Sequence, residues 1–525
     1  MKSISEVLKD SEQIVLAIDT RLDNTAISEW GFEDFNAGFL PNCGLDLDIV
    51  VNNNSRVLIT AGQARNSGGS DVVEAGIQIR TELKDNFSGG TSLSLGKLKL
   101  SFRPSQAQLH RRDWDNRDLL VSAGGLVDGE ELRYPDYPVY FQGISNGYDH
   151  DESSMQVSMS LGSKELSNIF PKNTFSNGNA VGEVVPLLYG TVTNYKPVDL
   201  GNGLYQFFDN TDGEDVREVT AAYNNGASLT LDISADVTAT PATGEYITNG
   251  YQIKVNPSDT MNLTIDVLGP TIISLPDVND MLMNIVGDIV YKGCDGRVPL
   301  TYLDKTGPFT IFDTTEKIGY VFDQQKTVRQ HLEDILTPLD MYFVENKDDN
   351  GITVRRRYNG QFLDVTGEPN VRDAFYFDEV TIVEGGVRRI RTEPRPQATR
   401  VFYNRNWSPL TTDDIPAATR LRMRREYEKT LSYISPRGTA SSRDIKTALV
   451  EEADATALAI QSAARDGARN ERYSLSVHDI GHGITVGDVG VLEHELLPEN
   501  SFAEIRQITE DTVTRRTSLT VVIYE

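Results

Sequence analysis

The segment His478-Asp479-Ile480-Gly481-His482 puts two imidazoles and a carboxylate within five residues, the most metal-like cluster in the chain. Two histidines four apart share a face only on a helix, and zinc hydrolysis there also needs a glutamate base between them. Gly481, Gly483 and Gly487 surround this pair and no glutamate stands inside it, so the segment reads as a polar passage from strand to turn. Two acidic clusters, Asp113/Asp115/Asp118 and Asp209/Asp212/Glu214/Asp215, offer oxygens of the kind calcium takes. The first lacks the glycine of loop position six and has Gly124 where position twelve needs a bidentate acid. The second has an Asp212-Gly213 turn but no distant glutamate in register, so both read as turn and strand-end carboxylates.

Gly487-Asp488-Val489-Gly490 and Gly124-Gly125 are glycine pairs, not phosphate loops, and neither dinucleotide fingerprint nor nucleophile elbow occurs. Cys43 and Cys294 lie far apart, without a histidine neighbour or a disulfide framework. Acidic pairs such as Glu130-Glu131 and Asp413-Asp414 could serve a glycosidase, whose carboxylates must stand ~5–10 Å apart, a distance that sequence does not specify. The residues therefore assign no catalytic, cofactor-binding or metal-binding side chain, and no cofactor.

The elements that would position such residues are mostly strands. Leu93 to Phe102 alternates on both sides of Gly96-Lys97, as a bulge would give. Pro138 to Gln142 and Met155 to Leu161 are further extended runs, and Asn-Gly pairs at 146–147, 177–178, 225–226 and 249–250 mark turns. Residues 205–270 form a small β module, with strand, turn and strand over Val219 to Leu229 and a closing strand from Met261 to Leu268. Three helices are predicted. One spans 277–290, opened by Pro276-Asp277, with Leu282, Ile285, Val286, Ile289 and Val290 on one stripe. Another spans 327–337 from Thr327, and an Ala-rich helix spans about 441–468, opened by Ser441-Ser442.

At 525 residues and 58.2 kDa the chain has room for three or four domains of ~150 residues. Apolar residues at 39% and charged residues at 24% indicate a globular protein. The net charge of −27 disfavours sequence-independent grip on phosphates and favours solubility. It is unevenly spread: residues 1–300 carry 21 basic and 41 acidic side chains, and 355–429 carry 15 and 11. From Asp199 to Asp295 there are 15 acids and three bases. The N-terminus lacks the apolar core of a secretory signal and no run approaches the ~18 apolar residues of a membrane helix, so synthesis in the cytoplasm without membrane spanning is expected.

Taken in order, the segments resemble the tail hub proteins of tailed bacteriophages, the baseplate-hub family of siphophage type. Tyr134 to Ile144, with Asp149 to Leu166, resembles the first hub barrel, and Val185 to Asn194 the entry that follows it. Tyr223 to Thr230 is similar to an inserted β module, and Lys317 to Phe322 with the 327–337 helix to the small α/β domain. Gly483 to Leu492, Ile505 to Asp511 and the last strand resemble the closing of a second barrel. The resemblance implies a mainly β fold with α+β parts. Its units are a first barrel over 1–184, an inserted β module and connector over 185–275, a small α/β domain over 276–375 and a second barrel over 376–525. It further implies a homotrimer at the distal end of the tail tube, partnered by distal tail or tube proteins, tail fibre or spike and tape-measure proteins. DNA would pass only in transit through an acidic channel. The chain lacks an evident peptidoglycan hydrolase and long repeated C-terminal modules, which assigns wall digestion and receptor contact to other proteins.

Three other functions are consistent with parts of this pattern: a distal tail or fibre-attachment ring protein, a virion-associated glycan hydrolase, and a cell-surface adhesin. The helices and length favour the hub over a plain ring protein, which needs one barrel; the missing export signal and tandem modules weigh against secreted forms. If the acidic clusters are turn carboxylates, millimolar calcium leaves the melting temperature unchanged; a concentration-dependent rise of several degrees would make one of them an ion site.

Overall fold

The computed structural model describes, within residues 1–163, the backbone of the strands and the side chains of 143–145, 147–149, 157 and 158. It also describes residues 164–525 apart from 177, 234–235, 260–261, 271–280, 299, 303–315, 346–350, 357–374, 393–395, 412–414, 435–440, 468–469, 479–483, 499–500, 512–515 and 525. The fold is mainly β with α+β parts. One large sheet orders its strands Val50–Val51, Arg56–Ala61, Ile14–Arg21, Asp115–Val127, Val139–His150, Ser154–Leu161, Leu98–Ser101 and Val73–Ala75, with Glu130–Glu131 on a branch. The other runs Tyr376–Phe377, Val489–Leu492, Ser501–Asp511, Arg516–Tyr524, Asn470–His478 and Arg388–Thr392.

The N-terminal region lends two strands to the C-terminal sheet. Gln78–Leu83 pairs with the far half of Ser501–Asp511, from Gln507↔Glu82 to Asp511↔Gln78, and Thr91–Leu95 pairs in turn with Gln78–Leu83. Leu98–Ser101 instead joins Ser154–Leu161 in the first sheet. The alternating run 93–102 is thus two strands in different sheets, which corrects the expected bulge. A Gly-Lys break in a period-two run lets each half satisfy its backbone groups with a different neighbour.

Tube-like barrels are what the resemblance implies for both ends of the chain. Among the described residues each ladder is an open path, and no pairing closes a ring. The C-terminal ladder is nevertheless strongly curled. Tyr376–Phe377 lies on Val489–Leu492, yet Ile382 already bridges Val477, four strands across. The intervening turn is closed by Ile382 N–H donating to Asp378 O at 2.9 Å. Such a turn carries the chain only about 10 Å, whereas four spacings of a flat sheet need about 19 Å.

Between the large sheets in sequence come two five-stranded sheets. The central one orders Ala227–Ser228, Val216–Asn224, Leu263–Pro270, Leu187–Tyr195 and Gly319–Phe322. Its hairpin turns at Asn225-Gly226, with φ of 49° and 80°, the left-handed pair that a two-residue turn demands. Glycine is needed there twice over, because a Cβ would stand 2.8 Å from the Ile415 side chain. The second sheet orders Val198–Gly201, Leu204–Gln206, Gln252–Val255, Glu245–Thr248 and Thr230–Leu231.

The helix Val328–Leu336 starts where the sequence predicts. Thr327 Oγ1 accepts from Gln330 N–H while Gln330 Oε1 accepts from Thr327 N–H, and Val328, Leu332, Ile335 and Leu336 are buried. The first helix buries its predicted stripe but runs Leu282–Gly293, behind an extended Met281 without side-chain cap; Pro276-Asp277 lies outside the described residues. The Ala-rich helix is shorter than predicted, Glu452–Gly467. Arg443–Lys446 is a strand, parallel to Ala398–Arg405, so Ser441-Ser442 caps nothing. Sheet pairing with buried Ile445 wins there, and the helix opens where Glu452 and Asp454 place negative charge in its first turn. Met341–Glu345 joins two cores by its period: Met341 and Phe343 pack into the central core, Tyr342 and Val344 into the C-terminal one.

His331 is buried among Phe170, Tyr320 and Phe322, the last ring 4.5 Å away centre to centre. Its Nε2 lies 2.9 Å from the carbonyl of Phe170, to which it donates, and burial pushes the imidazole down to about 4. An unfolded histidine titrates near 6.5, so between about 6.5 and 4 the unfolded chain takes up a proton that the folded chain refuses. Stability therefore falls as pH drops through this window, by about 3 kcal/mol from this group when complete. His331→Gln, which keeps a donor, should flatten the dependence of the urea midpoint on pH between 7.5 and 4.5; an unchanged slope would show that other groups set it.

Candidate functional site

Most residues singled out by type and spacing prove to be local. His478 ends the strand Asn470–His478, exposed, with its N–H donating to Thr381 O at 2.9 Å, while Asp479 and His482 lie outside the described residues. Asp209 accepts from Thr211 N–H at 3.0 Å and from Asn173 Nδ2 at 2.7 Å, and Asn210 donates to Asp215. Glu214 pairs with Lys292 at 2.6 Å, and Asp212 is exposed on the turn. Asp115, Asp118 and Gly124 belong to the strand Asp115–Val127, and Glu130-Glu131 is a short strand; Cys43, Asp113 and Asp413-Asp414 lie outside the described residues. Burial pushes the Cys294 thiol up to about 12, which makes it unreactive at neutral pH. Among the described residues no three His, Cys, Asp or Glu side chains converge on a metal site, and no helix is long and apolar enough to cross a membrane.

What the fold does bring together is a set of carboxylates, Asp340 and Asp266 buried and Asp288 half-buried, each held by cations and hydrogen-bond donors. Asp340 sits at φ 55° closing the turn Thr337–Leu339. Its Oδ1 lies 2.9 Å from Nη2 of both Arg443 and Arg465, and Ser462 Oγ donates to Oδ2 at 2.5 Å. One carboxylate thus ties the strand Arg443–Lys446 and the Ala-rich helix to the turn before Met341–Glu345.

Asp266, on Leu263–Pro270, holds a larger network. Its Oδ1 accepts from Asn194 N–H at 2.7 Å, and its Oδ2 from Arg422 Nη2 at 2.5 Å and Tyr223 Oη at 3.0 Å. Asn194, itself at φ 53°, donates to Asn406 Oδ1 at 2.7 Å, and Asn406 Nδ2 donates to the carbonyls of Arg422 and Met423. Burial first, and then the charge of Asp266, raises the Tyr223 phenol, which therefore stays protonated and donates. The same segment packs Leu410, Ile415 and Met423 over Tyr223, locking 406–426 onto the hairpin.

At the third clamp the buried Tyr189 donates to Asp288 at 2.6 Å. Lys292 bridges Asp288 at 2.9 Å and Glu214 at 2.6 Å, joining the first helix to the loop of the β module. The Tyr189 phenol is held well above its usual range by burial and then by Asp288. In each clamp opposite charges meet, and the phenols of Tyr223 and Tyr189 stay protonated, so the arrangement fixes elements. The junction with the C-terminal sheet follows suit. Arg355 pairs with Asp488 at 2.5 Å, and Gly487, at φ 86°, leaves room for Tyr342, whose hydroxyl a Cβ would meet at 1.5 Å. The basic clusters of the back half are thus partly spoken for, with Arg355, Arg356 and Arg422 in ion pairs.

No protein-family model and no curated protein matches the chain. Among solved structures it is similar to the tail protein from Neisseria meningitidis MC58, at 9% identity over 87% of this chain and 94% of that one, with a TM-score of 0.41. It is also similar to the 43 kDa tail protein of prophage MuSo2 from Shewanella oneidensis, at 10% identity over 86% and 96%, TM-score 0.35. A third likeness is to a chain in the virion of a native gene transfer agent particle, at 14% identity over 69% and 91%, TM-score 0.40.

Removing a partner of a buried ion pair strands the other charge, a loss of ~3–5 kcal/mol. Asp340→Ala, which takes from Arg443 and Arg465 the carboxylate they share, is expected to lose about that much in urea unfolding. Tyr189→Phe, which removes one hydrogen bond and leaves Asp288 with Lys292, should lose only ~1 kcal/mol. Equal small losses would mean that the Asp340 clamp does not hold these elements together.

Proposed function

We propose that this chain is a structural, non-enzymatic virion protein that forms the hub at the distal end of a phage tail tube. Three copies close into a ring that extends the tube, anchors baseplate or fibre proteins and lines the channel through which DNA leaves. Each copy contributes a first barrel unit over 1–184, which lends strands between 78 and 95 to the last unit, a β module and connector over 185–275, a small α/β unit over 276–375 and a second barrel unit over 376–525. Distal tail or tube proteins, fibre or spike proteins and the tape-measure protein are its partners, and it is made in the host cytoplasm.

The observation that carries this reading is the pairing of N-terminal strands into the C-terminal sheet, backed by the clamps at Asp266, Asp288 and Asp340. A ring wall must hold two β units at a fixed angle, and hydrogen bonding one into the sheet of the other is the stiffest available connection. The net charge of −27 supports the channel role, because a wall that repels phosphates lets DNA pass without sticking.

Negative-stain images of the purified chain should show a three-fold ring with a central hole, and native mass three chains of 58.2 kDa, or 174.6 kDa. A monomer at every concentration that also turns over a polysaccharide would overturn the proposal in favour of a hydrolase.

A further inference from the structure

Among the described residues the longest strand with a neighbour on one side only is Tyr427–Ile434, which pairs with Ala398–Arg405 and ends its sheet. The ladder is unbroken from Ala398↔Ile434 to Tyr403↔Lys429, without proline or bulge. Its two charges are engaged inside the copy. Lys429 lies 3.6 Å from Glu452, and Glu428 accepts from Asn404 Nδ2 at 2.5 Å. Thr430, Ser432 and Ile434 face solvent, the last 78% exposed. On the other face Leu431 stands beside Val401 and Lys429 beside Tyr403, under the helix Glu452–Gly467, which packs on both strands of the pair. Asp454, Gln461 and Arg465 fix one flank of that helix to Lys317 N–H, Arg356 and Asp340. At about 100° per residue, Glu452, Thr456, Ile460 and Ala463 form the opposite flank, and the Glu452–Lys429 pair turns it toward the free edge.

A long regular edge recruits other strands, and native chains blunt it with outward charge, proline or a bulge. This edge carries none of them between Lys429 and Ile434. Packing under the helix accounts for Leu431 and Tyr433, but not for Ile434 or for Ile460, which is 50% exposed. We infer that the edge is covered by the same strand of a second copy, antiparallel across a two-fold axis normal to the sheet. An axis at Leu431 sets Leu431 opposite its own copy, Thr430 opposite Ser432 and Lys429 opposite Tyr433, pairs that stabilise a sheet, with no like charges opposed. The helix lies over the last two strands. With strands ~4.8 Å apart, the same axis brings the two helices to ~10 Å, their packing distance, with Thr456, Ile460 and Ala463 between them. One operation thus satisfies strand and helix together, which selects a second copy over a foreign strand. The eight strand residues and the helix flank of both copies bury on the order of 1,000 Å² in total, the lower limit of a specific interface and the size of a transient one. The contact is isologous and separate from the one that closes the proposed ring, so it goes beyond that reading: it joins two chains, or two such rings.

The test is the mass of the full chain by sedimentation, from about 0.1 to about 100 µM, the range of transient contacts. Mass should double as concentration rises, to two chains of 58.2 kDa, or 116.4 kDa, or from a ring of three to six chains, or 349.2 kDa. Thr430→Lys with Ser432→Lys sets lysines face to face and should raise the midpoint of doubling by at least ~10-fold. Mixed with a chain carrying Thr430→Glu and Ser432→Glu, it should pair again, a rescue that damage to the fold would not permit. Ile460→Glu tests the helix flank and should also weaken pairing; melting temperatures equal to wild type at high dilution confirm that each variant folds. A mass that never doubles overturns the inference, and if that mass is three chains the ring reading stands without it. Doubling that the lysine pair and Ile460→Glu leave unchanged overturns it as well. Doubling to two chains, never three or six, with the variants behaving as stated, supports the inference and removes the ring. If wild type does not double but binds a fluorescent octapeptide of alternating threonine and valine, and the lysine pair abolishes that binding, the edge takes foreign strands and the inference is overturned.

Discussion

The architecture depends on the hydrogen-bonding capacity of one strand, Ser501–Asp511. Along one edge it pairs with Arg516–Tyr524. Along the other, Val489–Leu492 takes its first residues and Gln78–Leu83 its last. Arg516–Tyr524 in turn carries Asn470–His478, and that strand carries Arg388–Thr392. Chain from near the start must cross more than 400 positions of sequence to complete it. Loop-closure entropy grows only logarithmically with length, so the crossing is thermodynamically tolerable although it makes folding slow. Once made, it joins the N-terminal and C-terminal β regions through backbone hydrogen bonds, which no surface loop could do as stiffly.

The second constraint is electrostatic. A chain with 77 acids and 50 bases must find a cation or several donors for each carboxylate it buries, and the front of the chain has few cations. Asp288 uses Lys292, one of the three bases between Asp199 and Asp295. Asp266 has to draw on Arg422, from the locally basic stretch 355–429, and that pairing carries the 406–426 segment onto the hairpin. The uneven charge of the sequence is therefore partly structural: arginines late in the chain neutralise acids that the fold buries early in it.

These two constraints also mark what sequence could disclose. Local chemistry was legible. Asn225-Gly226 specifies its turn through left-handed backbone, Thr327 and Gln330 specify a helix start, and the apolar stripes of both shorter helices are buried as spaced. Illegible were choices decided by partners elsewhere. The run 93–102 has one alternation but two destinations, and nothing within it distinguishes a bulge from a change of sheet. Ser441-Ser442 followed by an alanine-rich stretch satisfies every local rule for a helix start, yet Ile445 gains more from the strand Ala398–Arg405. Asp266 and Asp340 carry no signature, because their meaning comes from Arg422, Arg443 and Arg465, all remote in sequence.

Self-assembly sets the last physical demand. Chains of net charge −27 repel one another at long range, but the Debye length at physiological salt is about 8 Å, so beyond one side chain's reach the total charge counts for little. What decides association is the sign and polarity of the few residues brought within that distance. Broad acidity and specific contact between copies are then compatible, provided that positive charge is concentrated and exposed at one place. Arg388, Arg389 and Arg391 lie exposed on a single outer strand, with Arg389 paired to Glu471 at 2.6 Å. The charge that keeps copies apart in bulk need not then prevent contact between them.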